Sequence, residues 1–140
     1  MTTDPAPLLE RLRSRPAFRV TAQRRAVAEA LDAGGHLSAE QVHAAARRSL
    51  PEISLATVYN ALHDLVALGE VQEVAAGAAR RYGADVHRPH HHLVCDACGT
   101  IVDVEPRGDA PPLPATQRHG FRVREAEITY RGTCPTCAAA

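Results

Sequence analysis

The chain has 140 residues, and its sixteen cations, all arginine, balance sixteen carboxylates to a formal charge of zero. This excludes a free polybasic or polyacidic tail but permits a locally basic face. The opening Met1-Thr2-Thr3-Asp4-Pro5 lacks the basic-then-apolar pattern of an export signal, and no window offers an uninterrupted membrane span, so a cytoplasmic, reducing location without membrane attachment is expected. With no tryptophan and few aromatics, packing must rest on Leu, Val, Ile and Ala, in one or two small domains that a bound metal could stabilise.

Taken in order, residues 5–15 place Leu8, Leu9 and Leu12 at helical spacing beside three arginines, a short amphipathic helix that stops near Pro16. Thr21 caps a second helix to about Ala33 that buries Val27, Ala30 and Leu31, with Gly34-Gly35 ending it. Ser38 and Gln41 form a capping box for a third helix reaching about Ser49, and Pro51 closes that stretch. Ser54 caps a fourth, from Leu55 to Leu68, whose stripe is Leu55, Val58, Leu62 and Leu65, with Gly69 as its C′ residue. Opposite that stripe lie Thr57, Asn60 and Asp64, flanked by Tyr59 and His63. Alternation from Glu70 to Ala75, a turn at Gly77 and a return through Arg80, Arg81 and Tyr82 predict a two-stranded hairpin. Helices followed by a hairpin are the order of a winged helix-turn-helix. In that arrangement the fourth helix enters the major groove and Arg80 and Arg81 reach phosphate; a helical core with a decorative hairpin is the plainer alternative.

Residues 84–89 lack periodicity and read as a hinge between a domain at 1–83 and a second at 90–140. Leu93–Cys95 and Thr100–Glu105 look like strands around a knuckle. The prolines at 106, 111, 112 and 114 leave a loop with a turn or two of helix, and Phe121 to Tyr130 alternates like a third strand, with Phe121 and Val123 on one face. The expected class is therefore α+β: a winged helix-turn-helix followed by a small α/β domain.

All four cysteines fall into two pairs, Cys95-x-x-Cys98 and Cys134-x-x-Cys137. Two thiolate knuckles complete a tetrahedral zinc shell with no open position, which makes such a site structural; dithiol or disulfide pairs are the other chemistry at this spacing. Directly upstream stand His90, His91 and His92. On a strand His90 and His92 share one face, a candidate second metal site, and His91 points to the other side as a surface residue. By pattern alone His36 is a capping or surface histidine, and Asp103 is either an outward-facing residue or a ligand. His43, His63 and His119 read as ordinary surface or interface residues.

The runs Arg19-Val-Thr-Ala-Gln-Arg24, Ser54-Leu-Ala-Thr-Val-Tyr-Asn60, His90-His-His-Leu-Val-Cys-Asp-Ala-Cys-Gly99 and Gly132-Thr-Cys-Pro-Thr-Cys137 resemble those of the ferric uptake regulator family of metal-dependent repressors along essentially the whole chain. Asn60 after Thr57-Val58-Tyr59, and the stretch from Phe121 to Cys137, look more like its peroxide-sensing branch, which includes catalase-gene repressors, than like its iron- or zinc-uptake repressors. The resemblance implies a homodimer that binds an AT-rich inverted repeat through its winged helices and dimerises through the C-terminal domain. It implies structural zinc on Cys95, Cys98, Cys134 and Cys137, and regulatory Fe(II) or Mn(II), with Zn(II) as a further option, on His36, His90, His92 and Asp103. It places DNA contacts at Arg19, Gln23, Arg24, Thr57, Tyr59, Asn60, Arg80 and Arg81. Peroxide, on this view, would oxidise a ligand histidine, His36 or His90.

Two positions depart from the family pattern. Gly83 stands where an acidic ligand is usual, leaving Asp85 or His87 to replace it, and Ala126 stands where many members carry an auxiliary-site histidine. From other classes, a zinc-ribbon interaction module without regulatory metal would share the cysteines. A metallohydrolase would need a carboxylate base beside an open metal position, and no His-Glu-x-x-His motif is present, so no enzyme activity is expected.

Overall fold

The helices begin where a side chain can take up free backbone N–H groups. The computed structural model, which describes residues 6–76, 79–84, 86, 90–108 and 111–139, divides into two compact units, Met1–Arg88 and Pro89–Ala140.

In the first unit α1 (Leu8–Arg13), α2 (Ala22–Asp32), α3 (Ala39–Ala46) and α4 (Leu55–Ala67) precede the antiparallel strands β1 (Gln72–Ala76) and β2 (Ala79–Gly83). Thr21 and Ser54 each accept from the backbone N–H three residues on, and Ser38 with Gln41 forms the full capping box. Behind Pro7, α1 has no cap of its own; the carboxylate of Asp32, at the end of α2, accepts from the N–H groups of Leu8 and Leu9 at 2.8 and 3.1 Å. α3 ends at Ala46, short of the expected Ser49, as Arg48 and Ser49 turn back in tight i→i+3 bonds to Ala45 and Ala46. Gly69, in the left-handed region at φ 76°, ends α4 as expected.

Leu8, Leu12, Val27, Val42, Val58, Leu62 and Leu65 are fully buried together, each worth roughly 1.5–3 kcal/mol against exposure. Glu70, expected to open a strand, is instead a buried anchor beneath the hairpin. It accepts from Arg11 at 2.9 Å and Arg15 at 3.1 Å, and Arg11 also donates to the carbonyl of Ala84 at 2.9 Å. The helices and hairpin form the winged helix-turn-helix. The expected turn at Gly77 lies outside the described residues.

In the second unit β3 (His91–Cys95) is the middle of a three-stranded sheet, antiparallel to β4 (Ile101–Val104) and parallel to β5 (Thr129–Gly132), with α5 (Pro135–Ala138) at the end. A single 3-10 turn, Ala115–Gln117, interrupts the proline-rich loop. The strand expected from Phe121 is confined to Thr129–Gly132. Residues 121–127 are exposed and unpaired by any strand ladder, with Phe121 at 75% and Val123 at 51%. Among the described residues this alternation has no neighbouring strand, because β3 already pairs with β4 and β5. Register sets Leu93 opposite both Val102 and Tyr130, so one face of the sheet carries three exposed apolar side chains.

Candidate metal centres and nucleic-acid interface

The knuckle at Cys95 folds because Gly99 adopts φ 76°, which lets its N–H return to the carbonyl of Cys95 at 2.9 Å. The second knuckle opens α5, where Cys134 is the N-cap and its sulfur accepts from the N–H of Cys137. The four sulfurs lie within 4.8 Å of one another, and Sγ of Cys98 stands 3.8 Å from Sγ of Cys134. That distance is far beyond a disulfide bond of about 2.05 Å. It matches the edge of about 3.8 Å of a sulfur tetrahedron built on Zn–S bonds of about 2.3 Å.

Electrostatics point the same way. The N–H of Cys134, at 3.3 Å, and then that of Cys98 lower the Cys95 thiol to about 6, and the hydroxyl and N–H of Thr100 lower Cys98. Cys137, hydrogen-bonded to Cys134 and then Cys98, is pushed up to about 12. Four crowded sulfurs hold back their last proton until a dication takes its place, which is the donor set of structural zinc.

The second cluster forms at the start of β3. Nε2 of His90 and Nε2 of His92 both lie 3.6 Å from Oδ1 of Asp103, and the rings meet edge to face at 4.6 Å. A separation of 3.6 Å is too long for a hydrogen bond. It is close to the roughly 3.4 Å between donors that share a dication at about 2.1 Å. Two imidazoles and a carboxylate suit iron, manganese or zinc. His92 is fully buried, and its Nδ1 meets Oε1 of Glu127 at 2.5 Å. Sequence reasoning missed Glu127: it sits in a run read only as alternating strand, far along the chain from its partner.

His91 departs from the surface role expected of it. It is 8% exposed, its Nδ1 accepts from the N–H of Ile128 at 3.0 Å, and its ring faces Tyr130. The third strand was expected, but its parallel pairing beside β3, which covers His91, was not specified by the sequence. His43, expected as a surface or interface residue, lies 2.8 Å through Nε2 from the carbonyl of Ile53 and ties α3 to the approach of α4.

His36 belongs to the first unit. Its neighbour Leu37 exchanges two backbone hydrogen bonds with Tyr82 of β2, at 2.9 and 2.7 Å. A Cβ built on Gly83 would meet the His36 ring at 2.7 Å from Nδ1 and 2.8 Å from Cε1. The glycine is therefore a fitted feature: the ring occupies the space in which an acidic side chain would begin. Asp85 and His87 lie outside the described residues.

Of the candidate DNA contacts, Thr57, Tyr59 and Asn60 come from α4, with Tyr59 and Asn60 exposed. Arg19 is exposed ahead of α2, and Gln23 is exposed in its first turn. Arg24 stacks on Phe18 and pairs with Asp64 at 3.3 Å, Arg80 pairs with Glu73 at 2.9 Å, and Arg81 donates to Gln41 at 2.8 Å. The phenol of Tyr59 donates to Glu40 at 3.2 Å, which raises its pKa above the usual value. Exposed pairs of this kind are weak, because solvent screens them.

A sequence model described as the ferric uptake regulator family matches residues 16–131. The transcriptional regulator FurA of Mycobacterium tuberculosis is 43% identical over 123 residues, spanning 86% of this chain and 84% of that protein. The peroxide operon regulator of Bacillus subtilis is 34% identical, with the same coverage of both chains. The solved Helicobacter pylori ferric uptake regulator, 22% identical, covers 99% of this chain and 97% of its own with a TM-score of 0.73, a likeness of fold. The family model over residues 16–131 and relatives that match most of the sequence, alongside a winged helix, a four-sulfur cluster and a histidine–carboxylate cluster, place the chain in the ferric uptake regulator family of metal-responsive transcriptional regulators.

Proposed function

We propose that the chain is a homodimeric repressor that binds an inverted-repeat operator when a divalent ion occupies the cluster of His90, His92 and Asp103. As a member of a family of transcription regulators it is not a hydrolase. Zinc on Cys95, Cys98, Cys134 and Cys137 holds the second unit together. His36, supplied by the first unit across the linker at 84–89, completes the regulatory shell, so that binding selects one arrangement of the two units. The apolar sheet face of Leu93, Val102 and Tyr130 is the surface on which a second copy packs. Arg19, Gln23, Arg24, Thr57, Tyr59, Asn60, Arg80 and Arg81 serve the operator, the arginines on phosphate and the α4 side chains toward bases.

The observation that carries this reading is the equal 3.6 Å approach of two buried imidazole nitrogens to one carboxylate oxygen. A zinc-ribbon module would have no use for it.

For the signal, we infer that hydrogen peroxide is read at this site when the ion is ferrous. The donor set holds no thiolate, and the relatives include a peroxide operon regulator. His36 and His90 would be the imidazoles exposed to this chemistry: a bound ferrous ion would supply the means to cleave the O–O bond, and overall one peroxide oxygen is gained at an imidazole carbon, a two-electron oxidation of the ring, while the other oxygen leaves as water. Regulation by iron or zinc supply is the alternative within the family.

Operator binding measured with Fe(II), Mn(II) and Zn(II), each with and without peroxide, decides between them. The peroxide reading expects release only from the Fe(II) form, with a mass gain of one oxygen on a peptide carrying His36 or His90. Release with those peptides unmodified, or indifference to peroxide with all three metals, rejects it.

A further inference from the structure

We propose that Glu127 governs how tightly His92 holds the regulatory ion, acting through the imidazole and not as a ligand. The inference rests on the reading that His90, His92 and Asp103 bind that ion.

The two nitrogens of His92 face two different carboxylates. Nε2 stands 3.6 Å from Asp103, a separation suited to a shared ion, whereas Nδ1 stands 2.5 Å from Oε1 of Glu127, an ion-pair contact that lies outside hydrogen-bond geometry. The Glu127 carboxylate thus lies against the Nδ1 side of the ring, and Nε2 is left facing Asp103. A carboxylate behind a ligating imidazole fixes its tautomer and ring orientation and strengthens it as a donor.

Glu127 is held in place by its own backbone. The adjacent Ile128 accepts from the N–H of His92 at 3.0 Å and donates to Nδ1 of His91 at 3.0 Å, and β5 then pairs in parallel with β3, Thr129 opposite His92. Both buried histidines are thus latched to the two-residue step that carries the carboxylate. The location also bears on the missing acid at Gly83. Where the His36 ring fills the space of that side chain, a carboxylate behind His92 adds donor strength from another direction.

The test uses the full-length, zinc-loaded chain titrated with Co(II), followed by visible absorption, and with Mn(II), in the wild type, Glu127→Gln, Glu127→Ala and Asp103→Ala. Glu127→Gln preserves shape and removes charge, so it is expected to weaken second-site affinity by about 10–100-fold. The Co(II) band positions and the zinc content should stay unchanged, and Glu127→Ala should weaken binding at least as much. Affinity of Glu127→Gln within about twofold of wild type, or a changed Co(II) coordination spectrum, which would make Glu127 a ligand, overturns the proposal alone. If wild type and Asp103→Ala bind Co(II) alike, the underlying reading falls with it.

Discussion

Replacing Cys134 with serine is expected to strip the zinc and unfold residues 89–140 while the helical unit stays folded. The reason is the imbalance between the two cores. The first unit buries a cluster running from Leu8 to Tyr82, whereas the described residues of the second bury only Val94, Cys95 and Ile101 among their hydrophobic side chains, beside His91 and His92. Three such side chains at roughly 1.5–3 kcal/mol each cannot offset the ordering of some fifty residues at about 1 kcal/mol or more apiece. Structural zinc in small domains contributes on the order of 10–16 kcal/mol, enough to decide whether the unit folds. Cys134 is also the N-cap of α5 and donates its N–H to Cys95, so its loss disturbs both knuckles. Metal analysis and calorimetry check this: one zinc per chain and a folded second unit in the wild type, neither in Cys134→Ser. A variant that lost zinc yet kept the second unit's transition would show the metal to be dispensable.

Asp103→Ala and His92→Ala are expected to leave the zinc in place, abolish the second ion, and reduce metal-activated operator affinity to the metal-free level. Coupling between an effector site and a ligand site is typically about 1–3 kcal/mol, or roughly 5–150-fold in affinity, and all of it should vanish. The two variants differ in a useful way. The side chain of Asp103 is 40% exposed on β4, whereas His92 is fully buried against Glu127. Asp103→Ala should therefore cost little stability, and His92→Ala should also loosen β5. Metal stoichiometry, thermal unfolding and operator titration on the same preparations separate these effects. Metal-activated binding that survived in Asp103→Ala would place the regulatory ion elsewhere.

Local chemistry was legible in the sequence and contacts across the chain were not. Thr21, Ser38 and Ser54 announce helix starts because a cap bonds within three residues, and paired Cys-x-x-Cys knuckles announce a tetrahedral site because the spacing itself sets the bite. Asp32 capping α1 and Glu70 gathering Arg11 and Arg15 depend on elements meeting in space, which no periodicity encodes. The alternation from Phe121 misled because period two reports side-chain faces but not whether a partner strand exists. His91 was misread for the complementary reason: the parallel β5 that covers it arrives from far along the chain. Gly83 is the instructive case. From sequence it is a missing acid, and in the fold it is the space that the His36 ring fills.

Metal and operator, bound to one protein, must tighten each other by the same factor if one ion sets the arrangement of the two units. The decisive measurement is therefore the Mn(II) affinity of the zinc-loaded dimer with and without saturating operator DNA, beside the operator affinity with and without saturating Mn(II). The account predicts equal factors from the two pairs of titrations, both collapsing to unity in Asp103→Ala. Mn(II) affinity unchanged by operator in the wild type would contradict it.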